Sequence, residues 1–86
     1  MAQSLPIFSL PTSAVQGGSP SCTKYVTTNT TSGTVINVKT NYRDSRGRNL
    51  SQYVRSNLRP SEQAQFQICN GSFINVEANP SRNSGT

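Results

Sequence analysis

Two cysteines, three carboxylates and eight lysines or arginines are the thiol and charged side chains that this 86-residue chain offers to chemistry, and it contains no histidine. Without an imidazole there is no Ser-His-Asp or Cys-His nucleophile pair, and no side chain that would ordinarily move a proton near neutral pH. The carboxylates, Asp44, Glu62 and Glu77, fall at a turn, at a corner and on an alternating segment. A glycosidase needs two of them in one cleft, roughly 5 to 10 Å apart, and a calcium site needs several oxygens in one tight loop. Neither arrangement is present in the spacing. Cys22 and Cys69 lie too far apart in sequence for a redox pair and lack the partners of a zinc site. The sequence thus predicts a protein that is not an enzyme, with no catalytic residues, no metal site and no cofactor.

The two cysteines suit a disulfide instead. Closing so long a loop would contribute about 3 to 4 kcal/mol in the chain-entropy model. A chain this short buries only a little over ~60% of its unfolded surface and needs such reinforcement. A Cys22–Cys69 bridge implies an oxidising compartment. The first eight residues have no basic n-region, and Pro6 and Pro11 interrupt the apolar run, so neither a signal peptide nor a membrane span is expected. Ala2-Gln3-Ser4, after an added initiator Met, reads as the start of a mature secreted or periplasmic chain from which the signal has been removed, although a cytoplasmic or phage protein could begin the same way.

The cations are clustered. Arg43, Arg46, Arg48, Arg55 and Arg59 face only Asp44 in the same stretch and supply most of the net charge of +5. Their positions depend on the elements that carry them. Residues 1–21 hold three of the five prolines and Gly17-Gly-Ser-Pro20, which predicts an extended arm and linker. Leu5, Ile7, Phe8 and Leu10 make the arm available as an edge strand, where proline is tolerated. Residues 22–78 alternate with period two and predict strands near 22–30, 34–43, 48–56, 63–69 and 73–78. Residues 79–86 read as a frayed tail.

Turn chemistry predicts the register. Asp44-Ser-Arg-Gly47 has the composition of a three-residue hairpin loop with glycine in the left-handed region, which sets Asp44 opposite Arg48, Tyr42 opposite Leu50, Lys39 opposite Tyr53 and Val38 opposite Val54. Thr30-Thr-Ser-Gly33 has the same composition and predicts a preceding hairpin, with Val26 opposite Val38 and Tyr25 opposite Lys39. Together they give a three-stranded meander with Val26, Ile36, Val38, Tyr42, Leu50 and Val54 on its buried face. Cys69-Asn-Gly-Ser72 predicts a third hairpin pairing Ala64 with Ala78, Phe66 with Val76 and Ile68 with Ile74. That register turns Cys69 away from the core and conflicts with a bridge to Cys22. The expected fold is all-β: a small antiparallel β-sandwich of meander plus hairpin, immunoglobulin-like in style. Leu58-Arg-Pro-Ser-Glu62 resembles the proline-containing corner between strands of many immunoglobulin-like bacterial domains.

This register collects Tyr25, Lys39, Arg43, Tyr53 and Arg55 on one open face and leaves Arg46 at a hairpin tip. Cations beside aromatic rings suit an acidic protein, an anionic polysaccharide or an envelope polymer, whose charged groups meet the cations while sugar rings stack on tyrosine. Nucleic acid meets the same chemistry but is not the favoured partner. The leading expectation is an extracytoplasmic binding module that docks such a partner through this face. Two alternatives are a structural subunit that self-assembles by lending its arm, Leu5 to Val15, to a neighbour's sheet edge, and a small inhibitor or immunity protein with Arg46 in an acidic cleft.

Overall fold

The computed structural model describes residues 7–81. Its strands are β1 (Phe8–Ser9), β2 (Thr12–Val15), β3 (Cys22–Thr28), β4 (Val35–Asp44), β5 (Asn49–Leu58), β6 (Gln63–Cys69) and β7 (Gly71–Pro80). They form two antiparallel sheets, one in the order β1-β7-β4-β5 and one in the order β2-β3-β6. The fold is therefore an all-β sandwich, as the alternation predicts. Leu5 and residues 82–86 of the expected tail lie outside the described residues, while Asn79 and Pro80 belong to β7.

The connectivity differs from the expected meander. β3 pairs with β6, not with β4, so the segment Thr30–Gly33 carries the chain from one sheet to the other. Turn composition is the same in both cases; what decides is Asn29, fully buried at the start of that crossing. Its amide nitrogen donates to Gly33 O at 3.0 Å and Leu58 O at 2.8 Å, and its Oδ1 accepts from Thr31 N and Thr31 Oγ1 at 2.9 and 2.6 Å. A buried amide satisfied on both ends fixes a corner, because leaving either end unpaired would cost about 1 to 3 kcal/mol.

The expected third hairpin is also a sheet change. Ala64, Phe66, Ile68, Val76 and Ala78 are all buried, but β6 and β7 lie in different sheets, so these residues meet across the sandwich instead of side by side. Asn70, at φ 55°, turns the chain. Gly71 then passes so close to β4 that a Cβ there would stand 2.8 Å from Arg43 O, a contact only glycine avoids.

Two phase errors follow. In β3, Tyr25 and Thr27 lie opposite Phe66 and Ala64 on the core side, so Val26 faces outward beside Gln65. Tyr25 stacks on Phe66 and Phe73, with ring centroids 5.4 and 4.8 Å apart, and such pairs contribute about 0.5 to 1.5 kcal/mol beyond burial. In β4, Val35 and Val38 are both 0% exposed although they are three residues apart. Asn37 between them has φ 55° and the ladder to β7 shifts there; an asparagine in the left-handed region resets the alternation. Val35 thus takes the core place expected for Ile36. Leu50, at 37% exposure, is not core either, while Val38 is, with Tyr42 and Val54 packed against it.

The inverted phase of β3 resolves the cysteine conflict. Cys22 and Cys69 are direct cross-strand partners on the outer face of the three-stranded sheet and form a disulfide. Both flanking bonds, Asn70 N to Ser21 O and Asn29 N to Glu62 O, mark hydrogen-bonded pairs an odd number of steps away. The cysteines consequently occupy a non-hydrogen-bonded pair, where opposed side chains stand closest.

The arm packs on its own chain. Phe8 and Ser9 pair with Ala78 and Glu77 of one sheet, and Thr12 to Val15 pair with Thr27 to Lys24 of the other. Leu10, 4% exposed, fills the gap between them. Its amide donates to Val76 O at 3.0 Å, while Pro11 O accepts from Thr28 N and Thr27 Oγ1, each at 3.2 Å.

Candidate binding surface on the four-stranded sheet

The hairpin that joins β4 to β5 follows the predicted turn. Gly47 has φ 83°, Gly47 N donates to Asp44 O, and Asp44 N donates to Arg48 O. The Asp44 carboxylate accepts from the amides of Arg48 and Arg46 and from Arg48 Nε, at 2.8, 2.9 and 2.9 Å. These bonds, the Arg48 amide foremost, hold its pKa below the ordinary value of 3.8 against a smaller opposing effect of desolvation. Arg48 is thereby committed to the turn, and Arg46 stands exposed at its tip.

Beyond the tip, the hairpin register places Lys39 opposite Tyr53 as expected. On its other side Lys39 faces Glu77 of β7, and Glu77 faces Ser9 of β1. One row, Tyr53, Lys39, Glu77 and Ser9, therefore crosses all four strands. Tyr53 is 65% exposed, so its ring is open to solvent. A second row lies next to it. Ser51 Oγ donates to Asn41 Oδ1 at 2.7 Å, and Asn41 Nδ2 donates to Asn75 Oδ1 at 2.7 Å. Arg43 comes next along β4, its Nε donating to Asn49 Oδ1 at 3.2 Å.

Of the six residues expected on or near this surface, Lys39, Arg43 and Tyr53 share the outer face and Arg46 extends from its end. Tyr25 does not belong to it: the residue lies in the other sheet, turned into the core stack. Arg55 is exposed, but a bulge shifts the β4–β5 register between Val38 and Lys39 and sets Arg55 opposite buried Val38, out of line with Tyr53. The expected row of tyrosine, lysine and tyrosine is in fact tyrosine, lysine and glutamate. Glu77 offsets part of the charge of Lys39, and amides replace the second ring.

Sequence reasoning missed Asn41, Asn75 and Ser51. The signal for half of this row was available, because the register that pairs Tyr42 with Leu50 also pairs Asn41 with Ser51. Asn75 was hidden by the wrong partner for β7.

The surface is open, not cleft-like. A recess of about 50 Å³ between Ile7, Asn37, Lys39, Glu77, Ala78 and Asn79 holds no more than a water or two. Among the described residues, no three histidine, cysteine, aspartate or glutamate side chains stand together as a metal site would require, and no helix is long and apolar enough to cross a membrane. No protein-family model, curated protein or solved structure matches the chain.

Proposed function

We propose that this protein is a non-enzymatic extracytoplasmic binding module that docks an anionic polymer on the outer face of its four-stranded sheet. The observation that carries this reading is the pair of adjacent rows on that face: an exposed tyrosine ring beside Lys39, and a hydrogen-bonded Ser51–Asn41–Asn75 ladder leading to Arg43. Amides and hydroxyls fixed in a ladder offer sugar hydroxyls donors and acceptors at low entropic cost. An open ring accepts the flat face of a sugar, and Lys39 and Arg43 meet carboxylate or sulfate groups. An acidic polysaccharide suits this combination better than nucleic acid, since the face has a single exposed ring and an interspersed carboxylate. The Cys22–Cys69 disulfide supports a secreted or periplasmic setting.

The test is binding of heparin and of polygalacturonate at low ionic strength. The triple variant Lys39→Ser, Arg43→Ser, Tyr53→Ser should lower the affinity at least about tenfold, with a shallower dependence on salt. Unchanged affinity and salt dependence in the triple variant would remove this face from consideration.

A further inference from the structure

The two sheets expose different edges on the flank opposite the arm. β5 ends the four-stranded sheet and β6 ends the three-stranded sheet, joined by the corner Arg59 to Glu62, where Arg59 N donates to Glu62 Oε1 and Glu62 N to Arg59 O. A sheet edge is normally defended by charge, proline or a bulge. β5 has such defences: Arg55 lies on it, Arg48 and Arg59 flank its ends, and its register shifts at Val54. β6 has none. Gln63-Ala-Gln-Phe-Gln-Ile-Cys69 is a regular, uncharged period-two strand whose register with β3 is unbroken.

The direction of its free groups follows from its pairing. Ser21–Asn70 and Asn29–Glu62 are hydrogen-bonded pairs, so alternation makes Thr23–Ile68, Tyr25–Phe66 and Thr27–Ala64 hydrogen-bonded as well. The N–H and C=O groups of Gln63, Gln65, Gln67 and Cys69 then point away from β3, along the free edge. Only one of them has a partner shown among the described residues, Gln67 O, which accepts from Gln52 Nε2 of β5 at 3.2 Å. Counting from that contact, Arg55 comes alongside Ala64, and Arg59 lies just beyond the start of β6. The one ion pair among the described residues is Arg48 with Asp44, so neither the Arg55 nor the Arg59 guanidinium is held in an ion pair, and the Glu62 carboxylate, bonded to the Arg59 amide at the corner, offsets only part of their charge.

We infer that the free edge of β6 is a strand-addition site for an extended acidic peptide, whose main chain pairs with Gln63, Gln65, Gln67 and Cys69 while its carboxylates meet Arg55 and Arg59. The charges select this occupant over a second copy of the chain, because two copies joined at β6 would bring their β5 arginines together. In an added strand alternate side chains point to opposite faces, so only every second residue faces β5. The site therefore favours acidic residues spaced two apart. This goes beyond the outer-face reading, with which it shares an anionic partner but no residue.

The experiment uses the full chain and a fluorescein-labelled octapeptide of alternating threonine and glutamate, blocked at both ends, followed by anisotropy at low salt. The double variant Arg55→Gln, Arg59→Gln should weaken binding about tenfold without altering the unfolding temperature. N-methylation of the peptide at alternate residues, on the edge that meets β6, should abolish binding, since it removes ladder donors and leaves the charge intact. Lys39→Ser with Arg43→Ser should leave it unchanged. Equal binding of the methylated and parent peptides would overturn the inference, as would absence of binding at low salt. Loss only in the Lys39/Arg43 variant would also overturn it, while leaving the outer-face reading standing.

Discussion

The two flanks of the sandwich solve the same problem in opposite ways. On one, the arm crosses from sheet to sheet at Leu10 and Pro11, pairing with β7 and then with β3. On the other, β5 and β6 lie side by side with one side-chain hydrogen bond between their elements, from Gln52 to Gln67 O. The closed flank derives its stability from burial and from two carbonyls that receive bonds, Val76 O and Pro11 O. The open flank is held by the corner and by arginines that repel competing strands. A small sandwich with so thin a core can be sealed on one side only if its other edge is kept soluble, and the difference marks the flank at which a partner can be added.

The comparison can be broken most severely at Leu10. Leu10→Ala should destabilise the protein by about 2 to 5 kcal/mol, whereas Gln65→Thr on the open edge should stay within about 0.5 kcal/mol; urea unfolding of the two variants reads the contrast directly. Next in size is the bridge. Reducing the disulfide, or replacing Cys22 and Cys69 by serine, should cost about 2 to 4 kcal/mol, visible as a lower unfolding midpoint.

Thr27→Val should cost about 1 kcal/mol. It removes the hydroxyl that donates to Pro11 O and accepts from Thr12 Oγ1 at 3.1 Å, loosening the arm without emptying the core. Smallest is the hairpin tip. The folded-state pKa of Asp44 lies below 3.8, so its contribution is present above the unfolded value and fades as pH falls through the folded one. A pH series of unfolding midpoints should show this loss below about pH 4 in the parent, and Asp44→Asn should remove that component of the pH dependence.

How much of this was legible in the sequence differed from strand to strand for physical reasons. The fold class was legible, because period-two alternation survives any strand order. So was the β4–β5 hairpin, because Asp44 and Gly47 specify its loop locally, and with it came Lys39 opposite Tyr53. The strand order was not. A turn sequence such as Thr30 to Gly33 serves a hairpin or a sheet change equally well, and the choice rests on the buried contacts of Asn29 with Leu58 O, far away in sequence. The phase of β3 was lost for a related reason: Thr27 reads as a surface residue until Pro11 O receives its hydroxyl. Bulges did the rest. Asn37 exchanged Val35 for Ile36 in the core, and a second shift in the β4–β7 ladder turned Phe73 inward and left Ile74 46% exposed. The candidate face was accordingly half legible: its β4–β5 part came from a local turn, and its β7 part from a partner that no turn encodes.

Amide hydrogen exchange of the free protein tests the contrast between the flanks most directly. The Leu10 amide, which donates to Val76 O across the closed flank, should be protected, and so should Ala64, Phe66 and Ile68, which pair with β3. Gln63, Gln65 and Gln67 should exchange near the rates of an unstructured chain, because their N–H groups point along an uncovered edge. Uniform protection along β6, or a Leu10 amide that exchanges as fast as Gln65, would contradict the account.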